Sequence, residues 1–208
     1  MKEILIHNQE ILDRLNGFLT TIQSLDQTFL KSINRDPSIS PEHAVSQEYL
    51  DEIMNKKNIA GWPLAINGLD VAVVQNLPPE WNDLKNDICH TFTRELGCQQ
   101  NALCCYYPSD GYIGWHDNHD CPGHTILFNW SETGSGFYRY RDVDTGEIVT
   151  IQDRPGWSCK TGYYGDGKDT PRQYHCALAN EPRWSIAFYI RSQDMVDMIR
   201  EEIEYSDS

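Results

Sequence analysis

In the first hundred residues apolar side chains recur in steps of three and four. Ile11, Leu15, Phe18, Ile22, Leu25 and Phe29 form one stripe, which predicts a long helix over residues 8–33 with Asn8 placed to cap it. The spacing also suits a coiled-coil seam, but the stripe is short of four heptads and contains Gly17, so packing onto the same chain is the expectation. Residues 36–41, rich in proline and serine, predict a loop. Residues 46–57 predict a shorter helix with Tyr49, Leu50, Ile53 and Met54 on one face, and 69–75 a strand. A third helix begins at Pro78-Pro79-Glu80, carries Trp81, Leu84, Ile88, Phe92 and Leu96 on one side, and stops at Gly97.

Beyond Gly97 the texture changes to short strands separated by glycine, proline and aspartate turns: 99–107, 112–118, 124–131, 137–141, 147–152, 157–163, 174–178 and 183–191. Eight strands at this spacing imply a sandwich or barrel. A last helix fits 193–205, with Met195, Val196, Ile199 and Ile203 on one face. The expected fold is therefore mainly β with flanking helices (α+β), as one domain over 1–208. Residues 1–97 form a helical support with one strand, 98–192 the β core, and 193–208 the C-terminal helix.

Composition narrows the function classes. With 39% hydrophobic and 11% aromatic residues the chain can build a core, and no apolar run approaches the ~18 residues of a membrane span. The first residues lack the pattern of a signal peptide, and seven cysteines are an odd number for a disulfide framework, so an intracellular, soluble, cytoplasmic protein with free thiols is expected. A net charge of -14 opposes nonspecific attraction to nucleic acid or anionic membrane. Arg139, Arg141, Arg154, Lys160, Lys168 and Arg172 all fall in the second half, where a local basic patch would have to form.

The densest chemistry lies in residues 111–120, Gly-Tyr-Ile-Gly-Trp-His-Asp-Asn-His-Asp. Strand parity turns His116 and Asn118 to one face and Asp117 to the other. If the second and seventh strands lie side by side, His175 joins them as a third metal donor, leaving positions open for redox chemistry. Arg183 follows His175 by eight residues in an otherwise apolar run. His119, Cys121 and His124 have a spacing that zinc accepts, but no second close pair of ligands accompanies them, so the two histidines are alternatively contacts at a pocket mouth. The alternating rings and cations of residues 137–141 suit an exposed strand face better than a stacking platform for a base.

His116, His175 and Arg183 in this order resemble the Fe(II)/2-oxoglutarate-dependent oxygenases of the prolyl-hydroxylase/AlkB-like type, over residues 99–191. The resemblance implies a double-stranded β-helix (jelly roll) core. It implies His116 and His175 as iron ligands and Arg183 as partner of the C5 carboxylate of 2-oxoglutarate, with Ser185 adding a hydrogen bond and Tyr107 touching the cosubstrate. It implies Fe(II), 2-oxoglutarate and O2 as requirements. The reaction would be hydroxylation or oxidative demethylation with release of succinate and CO2, the substrate being a small molecule or protein side chain in preference to nucleic acid. The chain departs from the family at the third ligand, where Asn118 stands in place of an acid. Asn118 itself, Asp120 brought round by a bend, or water or halide would fill that position. A cupin-like metal-binding protein and an inactive scaffold are the rival classes.

Overall fold

The computed structural model describes residues 1–32, 39–56 and 61–205. It contains a six-stranded and a five-stranded antiparallel sheet, built around the eight expected strands: β4 (Gln100–Tyr107), β5 (Gly111–His116), β6 (Gly123–Ser131), β7 (Phe137–Arg141), β8 (Ile148–Gln152), β9 (Gly156–Tyr164), β10 (His175–Ala179) and β11 (Arg183–Ile190). Three shorter strands lie upstream, β1 (Lys2–Ile4), β2 (Ile66–Asn67) and β3 (Leu69–Asp70). The sheet orders are β1-β9-β6-β11-β4-β3 and β2-β5-β10-β7-β8. Within the eight, the first, eighth, third and sixth thus share one sheet, and the second, seventh, fourth and fifth the other. This is the jelly-roll order, so the core is a double-stranded β-helix.

The outer face of each sheet is closed by helices. α1 (Gln9–Ser24), α4 (Pro79–Asn86) and α6 (Gln193–Glu204) place Leu15, Phe18, Trp81 and Ile199 against Phe128, Trp184 and Phe188 of the larger sheet. α2 (Pro41–Ala44) and α3 (Gln47–Asn55) set Tyr49, Leu50 and Ile53 against Tyr112, Trp115 and Cys176 of the smaller one. Burying such a side chain is worth roughly 1.5–3 kcal/mol, and the inner faces are left to enclose a cavity.

Several expectations are corrected. The first helix stops at Ser24 and resumes only as a 3-10 turn at Phe29–Ser32. Ser24 Oγ and Gln27 Nε2 bond to the carbonyls of Thr21 and Ile22, ending the regular ladder early. Asn8 does cap it, accepting from Ile11 N at 3.1 Å. The strand over 69–75 shrinks to β3 because Asp70 Oδ1 takes the N–H groups of both Ala72 and Cys104. The third helix widens into a π-helical turn at Asp87–Phe92 before α5 (Thr93–Glu95), with Thr93 Oγ1 bonded to the Ile88 and Cys89 carbonyls. Among its described residues the support region carries three strands where one was expected, since β1 to β3 extend both sheets at their edges. Met54 and Met195 are 40% and 38% exposed, their helices' apolar faces being narrower than the sequence stripes. Residues 36–38 of the predicted loop, residues 33 and 57 of the predicted helices, and 206–208 of the C-terminal segment lie outside the described residues.

Candidate active site

β5 and β10 are neighbours, with His116 directly opposite His175. The ladder slips by one residue between them, so that Ala177 faces Ile113. This bulge changes the parity of β5. Ile113 and His116, three apart, both face inward, while Tyr112 and Trp115 pack outward under α3. β5 ends at His116, two residues before the expected limit. Asn118 therefore reaches the site through a turn, where it adopts φ 53°, a left-handed conformation that asparagine tolerates. Gly61 holds this turn by accepting from Asn118 N at 2.9 Å, and a Cβ on Gly61 would stand 2.6 Å from His119 N.

The imidazole rings of His116 and His175 lie 4.0 Å apart between centroids, and both residues are buried. His116 Nδ1 is 2.8 Å from the Gly114 carbonyl and His175 Nδ1 is 3.0 Å from the Gln173 carbonyl. A carbonyl can only accept, so each ring donates through Nδ1 and leaves the lone pair on Nε2. Burial lowers His116 to about 4, although its carbonyl partner opposes the shift. Burial, then the neighbouring His116, pulls His175 well below the ordinary histidine range. Both are neutral, as metal donors must be. Asn118 Nδ2 lies 3.4 Å from His175 Nε2, and turning the amide over puts its oxygen in that place.

Asp120 is exposed beside Gly61, and among the described residues no third His, Cys, Asp or Glu joins a metal-holding set. His119, Cys121 and His124 are not gathered into one either. His119 Nδ1 instead bonds Asp117 at 2.7 Å, and His124 packs edge-on to Tyr163. Asp117, the first residue beyond β5, does not line the cavity and also holds Arg172 at 3.2 Å. The donor set of two neutral imidazoles and one amide fits a divalent transition ion.

A cavity of about 300 Å³ runs between the sheets from these residues. Tyr138 and Tyr164 stack near His175, with centroids 5.7 and 4.5 Å away. Leu127, Ala177 and Ala187 also line it, as do Tyr107, Arg183 and Ser185 on β4 and β11 of the sheet opposite the histidines. Arg183 pairs with Tyr107 across β11 and β4, its guanidinium 5.8 Å from the ring centroid. Trp62 and Val73, 61% and 72% exposed, also line the cavity.

Sequence reasoning missed what surrounds Arg183. Asp153 Oδ2 accepts from Nε at 2.8 Å and Oδ1 from Nη2 at 3.2 Å, while Nη1 donates to Ser185 Oγ at 2.9 Å. Ser185 in turn donates to Asn129 Oδ1 at 2.8 Å, so its proton is already engaged. Lys160 Nζ stands 3.4 Å from Asp153 Oδ1, and all three ionic side chains are nearly inaccessible. Gly136 makes room for the carboxylate, since a Cβ there would lie 2.7 Å from Asp153 Oδ2. Asn129 Nδ2, buried beside Ser185, has no hydrogen-bond partner among the described residues. Only strand parity hinted at this group, by placing Ser158 and Lys160 on the face opposite Cys159. Of the candidates for a basic patch, Lys160 is buried, Arg154 pairs with Glu3, Arg172 pairs with Asp117, and Arg139 lies over Phe137.

No protein-family model matches the chain, and a search of curated proteins finds no match. Among solved structures it is similar to a prolyl-4-hydroxylase of Pseudomonas putida, at 10% identity over 92% of both chains with a TM-score of 0.44. It is also similar to a rice dioxygenase for auxin oxidation, at 16% identity over 89% of this chain and 71% of that one, TM-score 0.36. Streptomyces albus HEPD with 2-hydroxyethylphosphonate and Fe(II) bound matches at 14% identity over 52% of this chain and 22% of that one, TM-score 0.30. These likenesses are loose, and the jelly roll is established by the strand order alone.

Proposed function

We propose that the cavity is the active site of an Fe(II)- and 2-oxoglutarate-dependent oxygenase that hydroxylates or oxidatively demethylates its substrate. The observation that carries this is the pairing, in one cavity, of two neutral imidazoles at one side with a buried guanidinium at the other. His116 and His175 would hold the metal through Nε2, and Asn118 would complete the set with its amide oxygen. When bound, iron supplies the oxygen chemistry, coupled to conversion of 2-oxoglutarate to succinate and CO2. Arg183 has five N–H groups, of which three are engaged, leaving two for the distal carboxylate. The Gly114 and Gln173 carbonyls keep both rings in the tautomer that presents Nε2. Leu127, Ala177 and Ala187 exclude water from the space between. Trp62, Pro63, Ile66 and Val73 give the cavity an apolar approach, which favours a small molecule or a side chain with an apolar body over a polyanion.

A catalytically silent scaffold is the second reading, favoured by the lack of an acid beside the histidines among the described residues. Anaerobic titration with Fe(II) and 2-oxoglutarate separates the two. Joint chelation gives a weak visible charge-transfer band, and admission of O2 then yields succinate. Absence of both sinks the enzyme. Arg183→Ala should weaken 2-oxoglutarate binding while sparing metal binding, and equal loss of both would remove Arg183 from its role.

A further inference from the structure

Arg183 is not a bare cation waiting for an anion, because Asp153 already grips its Nε and Nη2 edge. A salt bridge closed in this way is neutral, and a neutral pair has little left with which to draw a carboxylate out of water. The third member changes the sum. Lys160, wholly buried on β9, can contribute a second positive charge against the single carboxylate: burial lowers its pKa from the ordinary lysine value, and Asp153 beside it opposes the shift. Its contacts are long, 3.4 Å to Asp153 Oδ1 and 3.5 Å to Ser158 Oγ, and it does not line the cavity.

We infer that Lys160 is a positioning residue for anion binding: by neutralising Asp153 it leaves the charge of Arg183 unspent, and the Lys160–Asp153–Arg183 group takes up one carboxylate from the cavity. Two cations and one carboxylate leave one positive charge in a dry interior, which one anion balances. The cavity offers an entering carboxylate the two unengaged N–H groups of Arg183. Asn129 Nδ2, a buried donor with no partner among the described residues, adjoins Ser185 without lining the cavity. Asp153 has two tasks in this scheme: it fixes the guanidinium plane and limits the group to a single anion. The inference rests on the anion-anchoring role of Arg183 proposed above, but needs no metal for its test.

The experiment is calorimetric titration of the metal-free protein with 2-oxoglutarate, succinate and acetate, on wild type, Lys160→Met and the double variant Lys160→Met/Asp153→Asn. Lys160→Met leaves the neutral Arg183–Asp153 pair and should weaken carboxylate binding by about tenfold or more. The double variant restores one surplus positive charge and should recover most of that loss, which a merely structural role for Lys160 would not do. Co(II) binding should be unchanged in both, showing that His116 and His175 remain assembled. Equal affinity in wild type and Lys160→Met, or no recovery in the double variant, overturns the inference while leaving the anchoring role of Arg183 intact. Wild type that binds none of the three acids overturns both. Binding of a carboxylate other than 2-oxoglutarate, with the same charge rescue, supports the inference and counts against the cosubstrate proposed above.

Discussion

At one end of the cavity two imidazoles are held by backbone carbonyls and carry no charge; at the other, a guanidinium, a carboxylate and an ammonium hold one another with side chains alone. The first arrangement costs little to fold, because every buried N–H has a carbonyl and the lone pairs left over are those of neutral rings. The second is costly to disturb at its carboxylate, because removing Asp153 leaves two cations unpaired in a dry interior. The two ends should therefore answer mutation in opposite ways. Substitutions at the imidazole end should destroy binding and spare the fold, whereas loss of Asp153 at the ionic end should strike the fold first.

The largest expected effect is on metal binding. His175→Ala should weaken Co(II) binding by more than about a hundredfold, beyond the 10–100-fold cost of losing an outer partner, with little change in urea unfolding at neutral pH. A parallel collapse of stability would erase the contrast. Asp153→Ala should do the reverse, lowering unfolding free energy by roughly 3–5 kcal/mol because two buried cations lose their counterion. The pH dependence of unfolding sharpens the comparison further. An unfolded histidine titrates near ~6.5, whereas His116 is lowered to about 4, so between these values the unfolded chain binds the extra proton. Its contribution is complete above pH ~6.5 and is lost as pH falls toward 4, about 3 kcal/mol in all, and it should disappear in His116→Ala. The smallest effect lies away from both ends, where Asn8→Ala should cost about 1 kcal/mol through loss of the α1 cap.

Much of the β core is legible in residue order because its turns are chemically marked and its strands are short. All eight strands lie within two residues of their expected limits. The ends of α1 and β3 were not legible, since each depends on a side chain bonding to backbone in place of the regular ladder, as Gln27 and Asp70 do. At the site, parity turned Asn118 toward His116, and the structure brings it there by another route. The strand has ended, a bulge has already reversed the alternation, and a left-handed residue makes the turn.

The pattern of apolar positions was enough to specify a mainly β fold with helical cover, and the order His116, His175, Arg183 was enough to name three residues that one cavity brings together. These are local or linear properties: periodicity, turn chemistry, and the types of donor that a metal or a carboxylate accepts. Tertiary structure alone decided that Asp120 stays at the surface, that Ser185 spends its proton on Asn129, and that Asp153 and Lys160 surround Arg183. Those outcomes turn on which strand faces which across the cavity. The fields of three buried charges add or cancel only once their separations are set, and residues 153, 160 and 183 meet only when β9 and β11 lie in one sheet with the loop after β8 folded against them.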